Sequence, residues 1–350
     1  MVPTPRGRSV TRAVAALLAV LAPVVLVACN GDPYPQSSLH PASDGATAID
    51  DLYRQIVIWA TVVFVVVEAL VLYTVMRFRA RPGQPEPAAV HGNTVIELLW
   101  TVAPAVILVF IAVPTMRTIF LLDGRTAPDG ALEVEVVGHQ WWWEFRYPAL
   151  NVTTANELHL PEGRPVRLTM TSADVIHALW VPRLMGKRDA ILGRNTRIVF
   201  TPDSAGTYLG QCAEFCGTSH ANMRFRVMVD ASGVFESWVA AQQGGVAPLD
   251  TANALVAEGD TAFRRIRLPA SNSCIACHAI QGVSGGVLGP NLTHVGSRTT
   301  LAGGILSNDS AGLARWLANP PGEKPGSLMP RIELTPREIA ALVAYLESRQ

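Results

Sequence analysis

Between residues 212 and 223 the chain reads Cys212-Ala213-Glu214-Phe215-Cys216-Gly217-Thr218-Ser219-His220-Ala221-Asn222-Met223. Two thiols, an imidazole and a thioether therefore sit on one short loop, and a second imidazole, His177, stands at the end of an apolar run upstream. Soft sulfur donors combined with imidazole suit copper, and one cysteine, two histidines and a weak methionine already satisfy a single copper ion. The second cysteine supplies enough donors for two ions bridged by both sulfurs. A bridged pair spreads one electron over two metals in a fixed cage, so little geometry changes on oxidation or reduction. Zinc accepts two cysteines and two histidines but would leave Met223 idle. A disulfide between Cys212 and Cys216 would leave both imidazoles idle.

The other chemical constellation is Ser273-Cys274-Ile275-Ala276-Cys277-His278. C-x-x-C-H is the attachment motif for haem c: the two thiols add to the vinyl groups, and the adjacent histidine reaches the iron. A redox dithiol needs no histidine, and no βαβ pattern surrounds the motif. Beyond it the chain holds one methionine, Met329, and one histidine, His294. Met/His ligation raises the haem potential, and Met329 lies in Gly326-Ser327-Leu328-Met329-Pro330, before the last helical stretch. Met329 is therefore the expected sixth ligand. His294 is expected at the surface or on the propionate side.

Different elements must position these two sets. From about 131 to 230 short runs alternate apolar and polar residues, as in Leu132-Glu133-Val134-Glu135-Val136, with turns at Pro161-Glu162-Gly163 and Pro202-Asp203-Ser204-Ala205-Gly206. This predicts an antiparallel β-sandwich or barrel. Three consecutive tryptophans, Trp141, Trp142 and Trp143, cannot all face one core from a strand whose side chains alternate, so one is expected at the surface or an interface. Residues 239–250 read as a small-residue linker. Thr251 to Arg264 and Thr335 to Ser348 read as helices flanking the haem motif, giving a cytochrome domain over 251–350.

The N-terminal third is apolar in blocks. Arg6, Arg8 and Arg12 precede the run Ala13 to Ala28, the shape of a signal peptide. Cys29 follows as the one cysteine of five outside the two constellations, in a setting that resembles a lipoprotein cleavage box; a third membrane helix is the alternative. Residues 29–54 are then an extracytoplasmic segment. Gln55 to Met76 and Thr94 to Phe120 are each long and apolar enough to span a bilayer. Arg77, Arg79 and Arg81 place the connecting loop 77–93 in the cytoplasm and everything after residue 120 outside. Two carboxylates fall in these spans. Glu68 is expected to be protonated and to make an interhelical hydrogen bond, and Glu97 lies near the cytoplasmic boundary. Lys and Arg together number 28, as do Asp and Glu; that balance excludes a nucleic-acid partner, which requires a basic excess.

The copper loop, together with Asp174-Val175-Ile176-His177 and Lys187-Arg188-Asp189-Ala190, resembles the dinuclear copper domain of cytochrome c oxidase subunit II. Asn93-Thr94-Val95-Ile96-Glu97-Leu98-Leu99-Trp100-Thr101 is similar to the start of that family's second helix, and Gln140-Trp141-Trp142-Trp143-Glu144-Phe145 to its aromatic run. The resemblance implies a multidomain chain with a transmembrane α-hairpin, a cupredoxin-like domain over 121–238 and an all-α class I cytochrome c domain. It implies dinuclear copper A held by His177, Cys212, Cys216, His220, Met223 and the backbone carbonyl of Glu214. The Glu214 side chain would reach a magnesium ion shared with subunit I, Glu97 would sit at a proton-channel mouth, and Trp141 would be where electrons arrive. Gly289-Pro290-Asn291-Leu292 resembles the haem wall of class I cytochromes c. The fused cytochrome resembles the caa3-type oxidases.

The implied function is electron transfer from cytochrome c through copper to subunit I, where O2 is reduced with proton translocation. The partners would be subunits I and III, and soluble cytochrome c or a quinol–cytochrome c reductase as donor. The location would be the bacterial cytoplasmic membrane, with the copper and haem domains on the periplasmic side. A membrane-anchored electron shuttle outside any oxidase is the alternative, and co-purification with a haem a subunit separates the two. For the N-terminus, the mature chain is expected to begin at an acylated Cys29. Intact mass of the purified subunit checks this, and a mature chain without lipid would refute it.

Overall fold

In the computed structural model, residues 34–350 are described except 81, 85–91, 125, 247, 266, 268, 270 and 271. Cys29 and the signal peptide lie outside the described residues. Two long helices come first, α1 (Asp44–Arg77) and α2 (Thr94–Leu121), with mean hydropathies of 2.6 and 2.4 over their most apolar stretches. Trp59 stacks on Phe110 between them at 5.6 Å, and Gln55 donates to the Phe110 carbonyl at 3.3 Å. Glu68 stands exposed on α1.

Helix α1 starts eleven residues before the apolar run that announced it. The Ser43 hydroxyl caps it by accepting from Ala46 N–H, and the same hydroxyl donates to the Leu184 carbonyl of the next domain. Asp44 accepts from Thr201 N–H, and Gly45, Ala46 and Asp50 are buried. The first turns of α1 are thus part of the extramembrane domain. Hydropathy marks where a helix enters lipid, not where it begins.

That domain is a sandwich of two five-stranded sheets. The first runs in the order β3 (Val152–Ala155), β2 (Trp142–Tyr147), β1 (Leu132–His139), β5 (Val166–Ser172), β8 (Thr196–Phe200). The second runs β4 (Glu157–Pro161), β10 (Arg224–Asp230), β9 (Gly206–Cys212), β6 (His177–Trp180), β7 (Arg188–Ala190). Pairing is antiparallel except for β1 with β5 and β4 with β10. Parallel neighbours need a crossover, which the intervening strands provide. Alternation is clean in β5, where Val166, Leu168 and Met170 point inward and are fully buried. With Val136, Trp143, Phe145, Leu158, Leu160 and Phe225 they form the main core.

Helix α3 (Val234–Gln243) closes the sandwich through buried Phe235 and Val239. It runs five residues beyond the expected boundary at 238, because Val239 is a core residue, so the linker starts at Gly244. The cytochrome domain then packs α4 (Ala254–Arg264) against α8 (Pro336–Glu347), with Phe263 5.5 Å from Tyr345. Between these helices lie α5 (Cys274–Cys277), two short hairpins, β11 (Ala279–Ile280) with β12 (Ser284–Gly285) and β13 (Thr300–Leu301) with β14 (Leu306–Ser307), then α6 (Ser310–Ala318) and α7 (Pro320–Glu323). Ser43→Ala removes a helix cap and an interdomain bond together. It should lower the stability of the copper domain by about 1–2 kcal/mol, read as a drop in the melting temperature of the detergent-solubilised protein.

Candidate metal and haem sites

His177 opens β6, Cys212 closes β9, and Cys216, His220 and Met223 follow on the loop that leads into β10. Strand pairing brings them together: Leu179 is the register partner of Cys212. The two sulfurs stand 3.8 Å apart, too far for a disulfide, and both thiols are free. Each sulfur has its own imidazole. His177 Nδ1 is 3.9 Å from Cys212 Sγ and His220 Nδ1 is 3.5 Å from Cys216 Sγ. Met223 Sδ lies 3.8 Å from Cys216 Sγ, and the Glu214 carbonyl lies 3.2 Å from Cys212 Sγ. His177, Cys212, Cys216 and Met223 are all buried.

The protonation of the pair suits a metal. The hydrogen bond between the two thiols holds Cys212 far below its ordinary range despite burial. The same bond, with burial, drives Cys216 up. The lowered Cys212 is the member of the pair that offers a thiolate to a cation. The donor set, two imidazoles, a thioether and a carbonyl around a sulfur pair, fits two copper ions.

Burial opposes a charge on His177, but its bonds to Cys212 and Asp174 outweigh that and raise its pKa. His177 Nε2 meets Asp174 Oδ1 at 2.7 Å, which aims Nδ1 at the sulfurs. Asp174 also accepts from Gln140 N–H at 2.7 Å. The ring lies flat against β1: a Cβ on Gly138 would stand 2.8 Å from His177 Cδ2. Asp174 and Gly138 carried no role in the sequence reading; a carboxylate three residues before a ligand histidine was the available sign.

The tryptophans divide as a hairpin demands. His139 pairs with Trp142, so Gln140 and Trp141 form the turn between β1 and β2. Trp143 is fully buried and packs edge-on to His177 and Phe225, both at 5.8 Å. Trp142 is half-buried and stacks on His139 at 4.1 Å. Trp141 is buried at an interface. Its Nε1 donates to the Cys216 carbonyl at 3.0 Å, and Gln140 Nε2 donates to the same carbonyl at 2.7 Å. Its own carbonyl accepts from Lys324 of the cytochrome domain at 2.5 Å. Burial pushes the Lys324 ammonium down to about 7.

In the cytochrome domain His278 follows α5 directly. Its Nδ1 donates to the Pro290 carbonyl at 2.8 Å, which leaves Nε2 free. Burial lowers its pKa and favours the neutral ring that binds iron. A Cβ on Gly289 would lie 2.6 Å from His278 Cε1, so only glycine lets that loop close on the ring. Cys274 and Met329 border the domain core with Leu292, on the same cluster. Free thiols beside a neutral, oriented imidazole fit a haem. His294 departs from expectation: it is buried and its Nε2 meets the Gln242 carbonyl at 3.0 Å, so it joins the cytochrome domain to α3.

Glu214 is half-exposed, with Lys187 Nζ 3.5 Å from its carboxylate. Glu97, in the first turn of α2, accepts from Asn93 N–H at 3.2 Å.

Three family models match in tandem: cytochrome c oxidase subunit II transmembrane domain over residues 35–118, its periplasmic domain over 149–232, and cytochrome c over 256–350. Cytochrome c oxidase subunit 2 of Alkalihalophilus pseudofirmus is 34% identical over 92% of this chain and 93% of its own length. The Bacillus subtilis protein of the same name is 33% identical over 95% and 96%. A solved structure, the periplasmic domain of subunit II of a cytochrome oxidase from Bradyrhizobium japonicum, shares 31% identity over 34% of this chain and 98% of its own, at a TM-score of 0.33. With the sulfur–imidazole cluster and the haem motif each lodged in its matching domain, the chain belongs to the cytochrome c oxidase subunit 2 family, as a membrane-anchored oxidase component with a periplasmic copper A domain and a C-terminal cytochrome c domain.

Proposed function

We propose that this chain accepts electrons on a covalently held haem c and delivers them through dinuclear copper to the haem–copper site of subunit I. Cys274 and Cys277 attach the haem, and His278 and Met329 ligate its iron. His177, Cys212, Cys216, His220, Met223 and the Glu214 carbonyl hold the copper pair. When bound, the two groups supply one-electron exchange with little rearrangement. The chain's own residues fix the imidazoles, exclude water from the sulfurs and set the distance between the two groups. The observation that carries this reading is the placement of Trp141, hydrogen-bonded to the copper loop at Cys216 and to the cytochrome domain at Lys324. A single residue thus joins the copper loop to the cytochrome domain, which supports Trp141 as the point where electrons reach copper.

Partners follow from what the chain leaves uncovered. Phe215 on the copper loop is 77% exposed, and Val175, Ile176 and Leu192 beside His177 are also exposed. Such an apolar rim suits the face of subunit I. On this reading the Glu214 carboxylate contributes to a magnesium ion at that boundary, and Glu97 lies at the mouth of a proton channel in subunit I. Helices α1 and α2 cross the cytoplasmic membrane of a bacterium with loop 77–93 inside, subunit III completes the complex, Cys29 is acylated, and a soluble cytochrome c or a quinol–cytochrome c reductase is the donor.

Cys216→Ser should leave at most one copper per chain and replace the shared-spin resonance pattern with a mononuclear one; metal analysis with electron paramagnetic resonance checks both. Asp174→Asn should weaken copper retention by roughly 10–100-fold against a competing chelator, because His177 loses its orienting carboxylate. Met329→Ala should keep the haem covalently bound while lowering its potential and removing the sulfur-to-iron band. Retention of that band in the Met329 variant, with its loss in a His294 variant, would overturn the axial assignment.

A further inference from the structure

Glu157 opens β4, the edge strand of the second sheet, and is 2% exposed. Four donors converge on its Oε1: Thr299 N–H at 2.8 Å, Thr299 Oγ1 at 2.7 Å, Thr300 N–H at 2.8 Å and Thr300 Oγ1 at 3.0 Å. All four come from the cytochrome domain, more than 140 residues away in sequence. The same hairpin continues the contact. The Gly303 carbonyl accepts from Arg224 N–H at 3.0 Å, and the Gly304 carbonyl lies 3.5 Å from Arg226 Nη2. A second loop closes over Trp141: Lys324 donates to the Trp141 and Ala302 carbonyls, and Ser219 of the copper loop donates to the Pro325 carbonyl.

A carboxylate buried with no cation in direct contact is costly unless it is fully hydrogen-bonded. Here the four hydrogen bonds to its carboxylate all cross the domain boundary. Separating the domains would therefore expose all of its donors at once, and docking restores them only in one register. The Lys324 loop cannot fix that register alone, because a single flexible ammonium meets carbonyls from many directions. Two backbone N–H groups and two hydroxyls from adjacent residues set both position and rotation.

We propose that Glu157 is a positioning residue for electron transfer, locking the cytochrome domain onto the copper domain through Thr299 and Thr300 in the pose that seats the Lys324–Gly326 loop on Trp141. This rests on the electron route proposed above. The lock converts a tethered encounter into a standing contact, so transfer from haem to copper needs no diffusional search.

The test uses the complete oxidase complex. After flash reduction of haem c, the native protein transfers its electron to copper at a rate independent of solvent viscosity. Glu157→Ala should slow this by about tenfold or more and make the rate fall with added glycerol, while both metal spectra stay unchanged. Glu157→Gln keeps an acceptor oxygen and should recover part of the rate. Thr299→Ala with Thr300→Ala removes two donors from the other side and should reproduce the viscosity dependence. Independently of electron flow, hydrogen exchange of the Thr299 and Thr300 amides should lose protection in Glu157→Ala. Native-like exchange and a viscosity-independent rate in both variants would overturn the lock. No haem-to-copper transfer in the native complex would instead overturn the route on which it rests.

Discussion

Two buried sulfur atoms 3.8 Å apart are the constraint around which the extramembrane part of this chain is organised. Thiolates at that separation repel, and only a cation or a proton between them makes the arrangement tolerable. The fold must hold them there whether or not the cation is present. It does so with one sulfur at the end of a strand and the other on the turn of a loop closed at both ends: Cys212 N–H donates to the Met223 carbonyl, and the Cys216 carbonyl accepts from Trp141 and Gln140. A loop tied at its start, middle and end has little freedom to relax on metal loading, which is what a low reorganisation cost requires.

The rest of the sandwich supplies what such a loop cannot. Strand β1 gives a flat backing at Gly138 for the His177 ring, and Asp174 holds that ring from the far side. The β1–β2 turn brings Trp141 beneath the loop. Each is a local consequence of strand register, so the copper cradle and the sheet order are one fact. The haem site follows the same logic on a smaller scale, with the Pro290 carbonyl and Gly289 orienting His278.

Much of this was legible because its chemistry is local in sequence. Cys212 to Met223 spans twelve residues, and Cys274 to His278 five, so spacing brings most of the candidate donors into view, while His177 and Met329 lie outside both windows. The alternation of β5 and the apolar runs of α1 and α2 are likewise local. What stayed hidden is long-range. Glu157 and Thr299, or Trp141 and Lys324, are separated by more than 140 residues, and nothing in an isolated glutamate at a strand start distinguishes a solvated carboxylate from a buried one. Residues 29–54 read as a segment ahead of the helix, yet Asp44 opens that helix and bonds to Thr201, and Asp50 pairs with Arg54 at 2.7 Å. His294 read as a surface or propionate-side residue because its partner, the Gln242 carbonyl, lies in a stretch that read as linker and is the last turn of α3.

Helix α1 runs unbroken for 34 residues, about 51 Å, while a bilayer core takes up only about 30 Å. Its upper turns are embedded in the sandwich through Ser43, Asp44 and Ala46, so there is no hinge where the chain leaves the membrane. The sandwich is mounted on a stiff post. Height and heading of the redox centres above the bilayer are then set by the post, and a change in membrane thickness or lateral pressure that tilts α1 must turn the whole superstructure with it. Bilayer mechanics reach the oxidase's electron-receiving face through this one shaft.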